Sequence, residues 1–182
     1  MTIRDQVIDE IIEREGGERY SNRAEDLGGP TRWGVTQSTA RQFGYQGDMR
    51  VYPKADAVRV YQSMWQQMHL NIIEAQDADL AAYIMDYGVN SGPGNASMVL
   101  QRLLTTLNDR GRLYPDLKPD GAIGPVTLAA LDAYCKSRGE QGKRVLAESV
   151  NALRIAHCVQ LAERSEVQEA NLFGWLNRVV NL

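Results

Sequence analysis

Apolar residues at the start of the chain recur every three or four positions, which is the spacing of one buried face of an α-helix. The members of this row are Ile3, Val7, Ile8, Ile11 and Ile12. Thr2, with Asp5 three residues later, resembles a capping box that would begin the helix. Because Gly16-Gly17 follows directly, the pattern predicts a helix that ends near Glu15.

Similar spacing predicts further helices along the chain, separated by segments rich in glycine and proline. A short helix is expected between Thr36 and Gly44, and a longer one after Pro53. The remaining helices are expected at about residues 77–87, 96–107, 126–134, 141–164 and 168–180. Residues 16–35 are dense in glycine and predict a small β-hairpin or an irregular lobe, whereas residues 108–124 predict a loop. The chain is therefore expected to be mainly α, with one small β lobe.

The composition is that of an ordinary globular protein, with 43% hydrophobic and 24% charged residues among 182. This length suits one compact core, so we expect residues 1–182 to form a single domain. We also expect a monomer. The net charge is only -3 at pH 7. A nucleic-acid binder would carry a basic footprint, so this function class is disfavoured.

The sequence also bears on targeting and on cofactors. Charged residues recur through the first helix, which argues against a signal peptide, and no segment approaches the roughly 18 apolar residues of a membrane span. We therefore expect synthesis in the cytoplasm and no stable membrane insertion. His69 and His157 have no Cys or Asp partner at ligand spacing, and no motif calls for a metal or an organic cofactor.

Glu15 continues the row Ile3, Val7, Ile11 at the C-terminal end of the first helix. There it would face apolar surroundings and the negative end of the helix dipole, and both disfavour an ionised carboxylate. We therefore expect its pKa to be raised. A carboxyl group still protonated near neutral pH is what glycosidic-bond cleavage requires of its general acid. The alternative is a solvated glutamate in the last helical turn.

The segment after the first helix carries side chains that could hold a water or a sugar. Asp26 is the natural second carboxylate, which activates a water in an inverting glycosidase and attacks the sugar in a retaining one. Thr31 and Thr36 could position that water, and Tyr20 and Trp33 could offer a flat apolar face to a sugar ring. Each also has a structural alternative in a turn, a strand or the core. The sequence leaves inversion and retention both open.

An ordered series of motifs begins at Glu15-Gly16-Gly17 and continues with Asp26-x-Gly28-Gly29-x-Thr31-x-x-Gly34-Val35-Thr36. This series resembles the N-terminal signature of glycoside hydrolase family 108, the bacterial and phage muramidases. The family's tyrosine after the glycine pair is replaced here by Glu18, with Tyr20 two residues further on. The resemblance continues through Asp86-Tyr87-Gly88-Val89-Asn90-Ser91-Gly92-Pro93 and Leu100-Gln101-Arg102. It ends in a part similar to that family's predicted peptidoglycan-binding region, Asp120-Gly121-Ala122-Ile123-Gly124-Pro125-Val126-Thr127 and Gly174-Trp175-Leu176-Asn177-Arg178.

The resemblance implies a lysozyme-like, mainly α (α+β) fold with a small β-hairpin lobe. Within the single domain, residues 1–92 would form a catalytic lobe and residues 93–182 a helical peptidoglycan-binding-like region. The implied substrate is the glycan strand of peptidoglycan. Together with the missing signal peptide, this fits a phage-type endolysin that a separate pore-forming holin releases from the cytoplasm to the cell wall.

The resemblance also implies roles for individual residues. Glu15 would be the catalytic acid, and Asp26 with Thr31 would complete the reaction, as in phage-type lysozymes that use a Glu, an Asp and a Thr across a hairpin. Asp86 and Asn90 lie one helical turn apart and would line the cleft. Their alternative is an ordinary polar helix face.

Three other functions remain open at this stage. A lytic transglycosylase would use one glutamate as acid and base, with a hydroxyl of the sugar in place of water. A non-catalytic wall-binding or secretion-promoting module is favoured by the turn-rich segment from Asp120 to Thr127, which could equally close the C-terminal helices on themselves. A chitinase- or chitosanase-like enzyme is the third alternative.

Overall fold

The computed structural model of the protein describes residues 2–22 and 29–180, and of Arg178 only the backbone. Within these residues the chain forms eight α-helices and one two-stranded sheet, which confirms the mainly α, lysozyme-like fold class. The first part holds α1 (Ile3–Arg14), β1 (Thr31–Arg32), β2 (Val35–Thr36), α2 (Gln37–Gln42), a 3-10 helix (Met49–Val51) and α3 (Lys54–Gln67). The second part holds α4 (Leu70–Glu74), α5 (Ala78–Ser91), α6 (Pro93–Leu107), α7 (Pro125–Glu163) and α8 (Glu166–Val180).

The chain divides into two compact units, residues 1–67 and residues 68–182. In the first unit, α1 packs on α3, and the hairpin packs on α2 and on the 3-10 helix. In the second unit, α5 packs on α4, α6 and α7, and α8 packs on α7. The single domain with a border between residues 92 and 93 stays a prediction.

Local sequence explains where α1 begins and ends. The Thr2 hydroxyl accepts a hydrogen bond from the Asp5 amide, and the Asp5 carboxylate accepts one from the Thr2 amide, so the capping box is present. At the other end, Gly16 donates to the Glu13 carbonyl and Gly17 to the Ile12 carbonyl. This pair of bonds is a Schellman motif. Gly16 has φ +108°, which glycine adopts without steric cost, so the glycine pair stops the helix.

The predicted β lobe is a tight hairpin. Thr31 pairs with Thr36 and Arg32 with Val35 in antiparallel register. The two-residue turn between the strands is Trp33-Gly34, with φ +54° and +72°. Positive φ at both positions is the hallmark of a type I′ turn, whose twist matches that of the flanking strands.

Two elements differ from the sequence prediction. The short helix α4 was missed, because five residues with two buried side chains are too few to show a period. α5 was expected to end near Tyr87 but continues to Ser91, and only Gly92, at φ +90°, leaves the helix; the Asn90 side-chain nitrogen donates to the Asp86 carbonyl at 2.7 Å within its last turn. The two helices predicted at 126–134 and 141–164 are confirmed, because α7 is interrupted at Gly139, whose φ of +59° and ψ of -158° are not helical.

Ile3, predicted on the buried face of α1, is 44% exposed, and the buried face is formed by Ile8, Ile11 and Ile12. Among the helices described, none combines the length and the apolar character that crossing a bilayer requires.

Candidate active site

Glu15 is the C-terminal cap of α1. Its amide donates to the Ile11 carbonyl at 2.9 Å, so its backbone still follows the helix while Gly16 already leaves it. Its side chain is half-buried and follows the buried pair Ile11 and Ile12 by one helical turn. The cap position thus places a carboxyl group at the edge of the first unit's core.

The hairpin turn lies directly against the Glu15 side chain. A Cβ built on Gly34 would lie 2.7 Å from Glu15 Cβ and 3.2 Å from Glu15 Cγ, and it would also collide with the Tyr61 hydroxyl. A side chain cannot occupy this position unless the Glu15 side chain or the Tyr61 hydroxyl moves away. Glycine is therefore required here by space as well as by its φ of +72°.

Trp33, the other residue of the turn, is held at three points. Its amide donates to the Gly17 carbonyl at 3.1 Å, and its own carbonyl accepts from the Tyr61 hydroxyl at 3.3 Å. Its indole Nε1 donates to the Tyr52 carbonyl at 2.9 Å. A non-glycine residue with positive φ costs roughly 1–2 kcal/mol, and such conformations persist where the surrounding structure over-determines them.

Tyr61 is the residue of this site that the sequence did not single out. Its helical position predicted only an inward-facing side chain on α3, and the side chain is indeed 4% exposed. Burial raises the pKa of its hydroxyl, and the negative charge of nearby Glu15 raises that pKa further. Helical spacing shows which face is buried, whereas the contact of one hydroxyl with a distant turn leaves no sequence signal.

Charged side chains brace the elements around the turn. Lys54, at the start of α3, lies 3.0 Å from Asp9 and 3.7 Å from Glu13 on α1. The hydrogen bond to Asp9 is the main reason why the Lys54 pKa is raised. Its ammonium group is also 5.9 Å from the Trp33 ring centroid, within the range of a cation–π contact.

Arg32 braces the turn from the hairpin itself. Its guanidinium bonds Glu18 at 2.7 Å and the Arg50 carbonyl, and its Cζ lies 5.5 Å from the Trp33 ring centroid. The predicted sugar-binding ring of Trp33 therefore has cations nearby and a structural hydrogen bond. Its contact with substrate stays a prediction.

The other predicted residues of the first unit have these surroundings. Thr31 and Thr36 face each other across the hairpin. The Thr31 hydroxyl donates to the Gly29 carbonyl at 3.3 Å, and the Thr36 hydroxyl caps α2 by accepting from the Thr39 amide. Tyr20 is 38% exposed. Asp26 lies outside the described residues, so the distance between the two predicted carboxylates stays open.

Asp86 and Asn90 lie on α5, in the second unit. The Asp86 carboxylate pairs with Arg154 of α7 at 2.7 Å, and both side chains are only 2% exposed. The Asn90 amide also donates to Asp86 Oδ2 at 3.2 Å. Asn90 further lines a cavity of about 90 Å³ with Arg154 and Trp175. The structure thus gives Asp86 an internal ionic partner, and substrate contacts of both residues stay predictions.

The turn-rich segment from Asp120 to Thr127 is fixed inside the second unit by one buried glutamine. The two N–H groups of the Gln101 side chain are shared among three acceptors, Asp120 Oδ1, the Ala122 carbonyl and Thr127 Oγ1, at 2.8, 2.9 and 3.1 Å. The Gln101 amide oxygen accepts from the Gly121 amide at 3.1 Å. Gln101 is 2% exposed. This segment therefore closes the loop onto α6 and α7, the structural alternative considered for it.

Metal binding has no candidate cluster in the part of the chain that is described. Within residues 2–22 and 29–180, no three His, Cys, Asp or Glu side chains gather closely enough to hold a metal ion. Cys135 is buried, Cys158 is half-buried, and neither forms a disulfide.

Comparisons with known proteins assign both parts of the sequence. Residues 8–92 match the family "Glycosyl hydrolase 108", and residues 95–180 match the family "Predicted Peptidoglycan domain". No curated protein gives a significant match. The solved structure of Brucella abortus SagA is similar over 98% of this chain and 90% of that chain, with a TM-score of 0.69 and 21% identity. At this identity the similarity shows a shared fold.

The family matches also locate the residues described above. Glu15, Gly34 and Tyr61 all fall within the glycosyl hydrolase match, as do Asp86 and Asn90 on α5. Arg154 falls within the peptidoglycan domain match. The resemblance of the motifs to family 108 is thereby confirmed: residues 8–92 are a glycosyl hydrolase 108 domain, residues 95–180 are a predicted peptidoglycan domain, and the protein is a glycoside hydrolase that acts on peptidoglycan.

Proposed function

We propose that this enzyme is a muramidase that hydrolyses the β-1,4 bond between N-acetylmuramic acid and N-acetylglucosamine, with Glu15 as the general acid. The observation that carries the proposal is the close approach of Gly34 to the Glu15 side chain. A solvated glutamate in a last helical turn needs no such neighbour. The Glu15 side chain, in contrast, is packed against position 34 of the hairpin turn, where only glycine fits.

The chemistry follows from the position of this carboxyl group. Glu15 donates its proton to the glycosidic oxygen as the bond between that oxygen and the sugar carbon breaks, and the electron pair of the bond goes to the oxygen. The sugar carbon passes through an oxocarbenium-like transition state and is captured by water. Asp26 is the proposed second carboxylate, and Thr31 is proposed to orient the water. The half-buried position of Glu15, one helical turn after Ile11 and Ile12, leaves its carboxyl group partly accessible at the edge of the apolar core.

The experiment is product analysis of digested cell walls. Muropeptides released by the wild type should carry reducing N-acetylmuramic acid ends, and Glu15→Gln should release almost none. Reducing N-acetylglucosamine ends would contradict the proposed bond. Anhydro ends would identify a lytic transglycosylase. Activity on chitin and none on cell walls would identify the chitinase-like alternative.

The stereochemical outcome can be read from the same reaction. NMR recorded during the first turnovers shows whether the newly formed reducing end has the α or the β configuration. The α anomer indicates inversion and the β anomer retention, because the bond that is cleaved is β. The result decides whether Asp26 acts as the base for water or as the nucleophile.

A second function, retention on the wall, is supported by the peptidoglycan domain match over residues 95–180. Full-length Glu15→Gln should sediment with insoluble peptidoglycan while releasing no fragments. Failure to sediment would contradict this role for the C-terminal region. Export through a holin and the monomeric state stay predictions from the sequence.

A further inference from the structure

The Tyr61 hydroxyl occupies a point where three parts of the first unit meet. It projects from α3, donates to the Trp33 carbonyl at 3.3 Å, and lies so close to Gly34 that a Cβ built there would collide with both this hydroxyl and Glu15 Cβ. The ring is buried, so water does not replace this donor freely. The hydrogen bond from its hydroxyl to the turn distinguishes Tyr61 from a tyrosine that only fills core volume.

The hydrogen bond matters because of the conformation it stabilises. A phenol has one proton to donate, and here that proton is committed to the Trp33 carbonyl. Removing it would leave the carbonyl without this donor at a residue whose φ is +54°. Loss of one of the three bonds that hold Trp33 would allow the turn to relax away from the Glu15 side chain.

We propose that Tyr61 is a positioning residue for the catalytic acid: its hydroxyl holds the Trp33-Gly34 turn against Glu15 and so fixes the orientation of the Glu15 carboxyl group. This inference rests on the proposed role of Glu15. Tyr61 acts through the turn and does not touch the substrate. Loss of the Tyr61 hydroxyl should therefore slow the chemical step and leave substrate binding largely unchanged.

The test is Tyr61→Phe, which keeps the ring and removes only the hydroxyl. The matched control is Tyr45→Phe, because the Tyr45 hydroxyl also donates to a backbone carbonyl of the first unit, that of Asp48 at 2.9 Å. Both variants are assayed at a temperature where each is fully folded. Tyr61→Phe should lower kcat by about tenfold and change KM by less than about twofold, since small misplacements of a catalytic group act on the rate. Tyr45→Phe should leave kcat unchanged.

A double-mutant cycle with Gly34→Ala gives an independent readout. The added methyl group collides with the Tyr61 hydroxyl, so Gly34→Ala should lose less kcat in the Tyr61→Phe background than in the wild type. Strictly additive losses would contradict a contact through the turn.

Glu15→Gln is assayed alongside to separate the two proposals. If Glu15→Gln is inactive and Tyr61→Phe behaves like Tyr45→Phe, the positioning role is wrong and the role of Glu15 stands. If Glu15→Gln keeps wild-type activity, both proposals fail. A fall in kcat specific to Tyr61→Phe, with Glu15→Gln inactive, supports both.

Discussion

Glu15 in the first unit and Asp86 in the second began as the same kind of candidate, a carboxylate on a helix close to a glycine turn. Glu15 is the cap of its helix, and its side chain is half-buried against a turn. Asp86 lies inside its helix, and its side chain is 2% exposed and paired with Arg154 at 2.7 Å. A carboxylate at the end of a helix keeps an open side, whereas one inside a packed helix needs an ionic partner. The first arrangement suits proton transfer and the second suits stability.

The largest stability effect is expected at Arg154. Arg154→Met removes the buried guanidinium that lies 2.7 Å from the Asp86 carboxylate, which should lower the free energy of unfolding by about 3–5 kcal/mol. Chemical denaturation measures the change. The control is Lys136→Met, since the Lys136–Asp132 pair is exposed and should contribute no more than about 0.5 kcal/mol.

The ion pair at Arg154 joins the two matched families, because Asp86 lies in the glycosyl hydrolase match and Arg154 in the peptidoglycan domain match. Adding Asp86→Leu to Arg154→Met also removes the buried carboxylate and should recover part of the lost stability. Equal losses for Arg154→Met and Lys136→Met would mean that the buried pair does not hold α5 to α7.

The second-largest effect is expected at Gly34 in the first unit, where comparison with Gly44 separates steric crowding from backbone strain. Gly34→Ala introduces both a positive-φ alanine and a collision with Glu15 and Tyr61, whereas Gly44→Ala, at φ +87°, has nothing within 4 Å of the added Cβ. Strain alone should cost Gly44→Ala about 1–2 kcal/mol. Gly34→Ala should lose more stability and most of its activity. Thermal unfolding and a cell-wall lysis assay make the comparison, and equal behaviour of the two variants would remove the case for a built site at Glu15.

A smaller effect is expected at Gln101 in the second unit. Gln101→Met keeps the length of the side chain but leaves the Gly121 amide and the Ala122 carbonyl without their partner, at an expected cost of about 1–3 kcal/mol. The control is Gln67→Met, whose single bond to Ser63 is exposed. The free energy of unfolding is measured for Gln101→Met and for Gln67→Met. If both variants lose the same amount of stability, Gln101 does not hold the segment from Asp120 to Thr127.

The smallest effect is expected at Thr36. Thr36→Val removes the cap of α2 and should cost about 1 kcal/mol, whereas Thr36→Ser keeps the cap and the stability. Kinetic constants of the folded variants then show whether the Thr36 hydroxyl is only a helix cap or also contacts the substrate. If Thr36→Val changes only stability, the hydroxyl is a cap. If KM also rises for Thr36→Val and stays constant for Thr36→Ser, the hydroxyl contacts the substrate as predicted from the sequence.

Local chemistry made much of the fold predictable. The capping box at Thr2, the glycine pair after Glu15 and the proline at the start of α7 act within a few residues, so the sequence shows them directly. The hairpin was predicted as a lobe, although its turn at Trp33 was not. The family resemblance added the order of the motifs.

The partners of the site residues could not be predicted in the same way. Tyr61 forms a hydrogen bond with Trp33 in the turn, and Arg154 forms a salt bridge with Asp86. In both pairs the residues are far apart in the sequence, so neither contact leaves a local pattern. Asp86 and Asn90 looked like one polar helix face, yet the first is enclosed while the second bonds back to it. What a buried polar atom touches depends on packing between elements, which helical periodicity does not contain.

The central claim is that Glu15 is placed for chemistry and not for stability. The most direct test measures the catalytic rate and the unfolding temperature of Glu15→Gln together, with Glu13→Gln on the exposed side of the same helix as control. The rate of wall hydrolysis by Glu15→Gln should fall by about 10²–10⁴-fold, with an unfolding temperature equal to or above that of the wild type, and Glu13→Gln should remain active. A folded Glu15→Gln with wild-type activity would contradict the account, as would a loss of activity that merely follows a loss of stability.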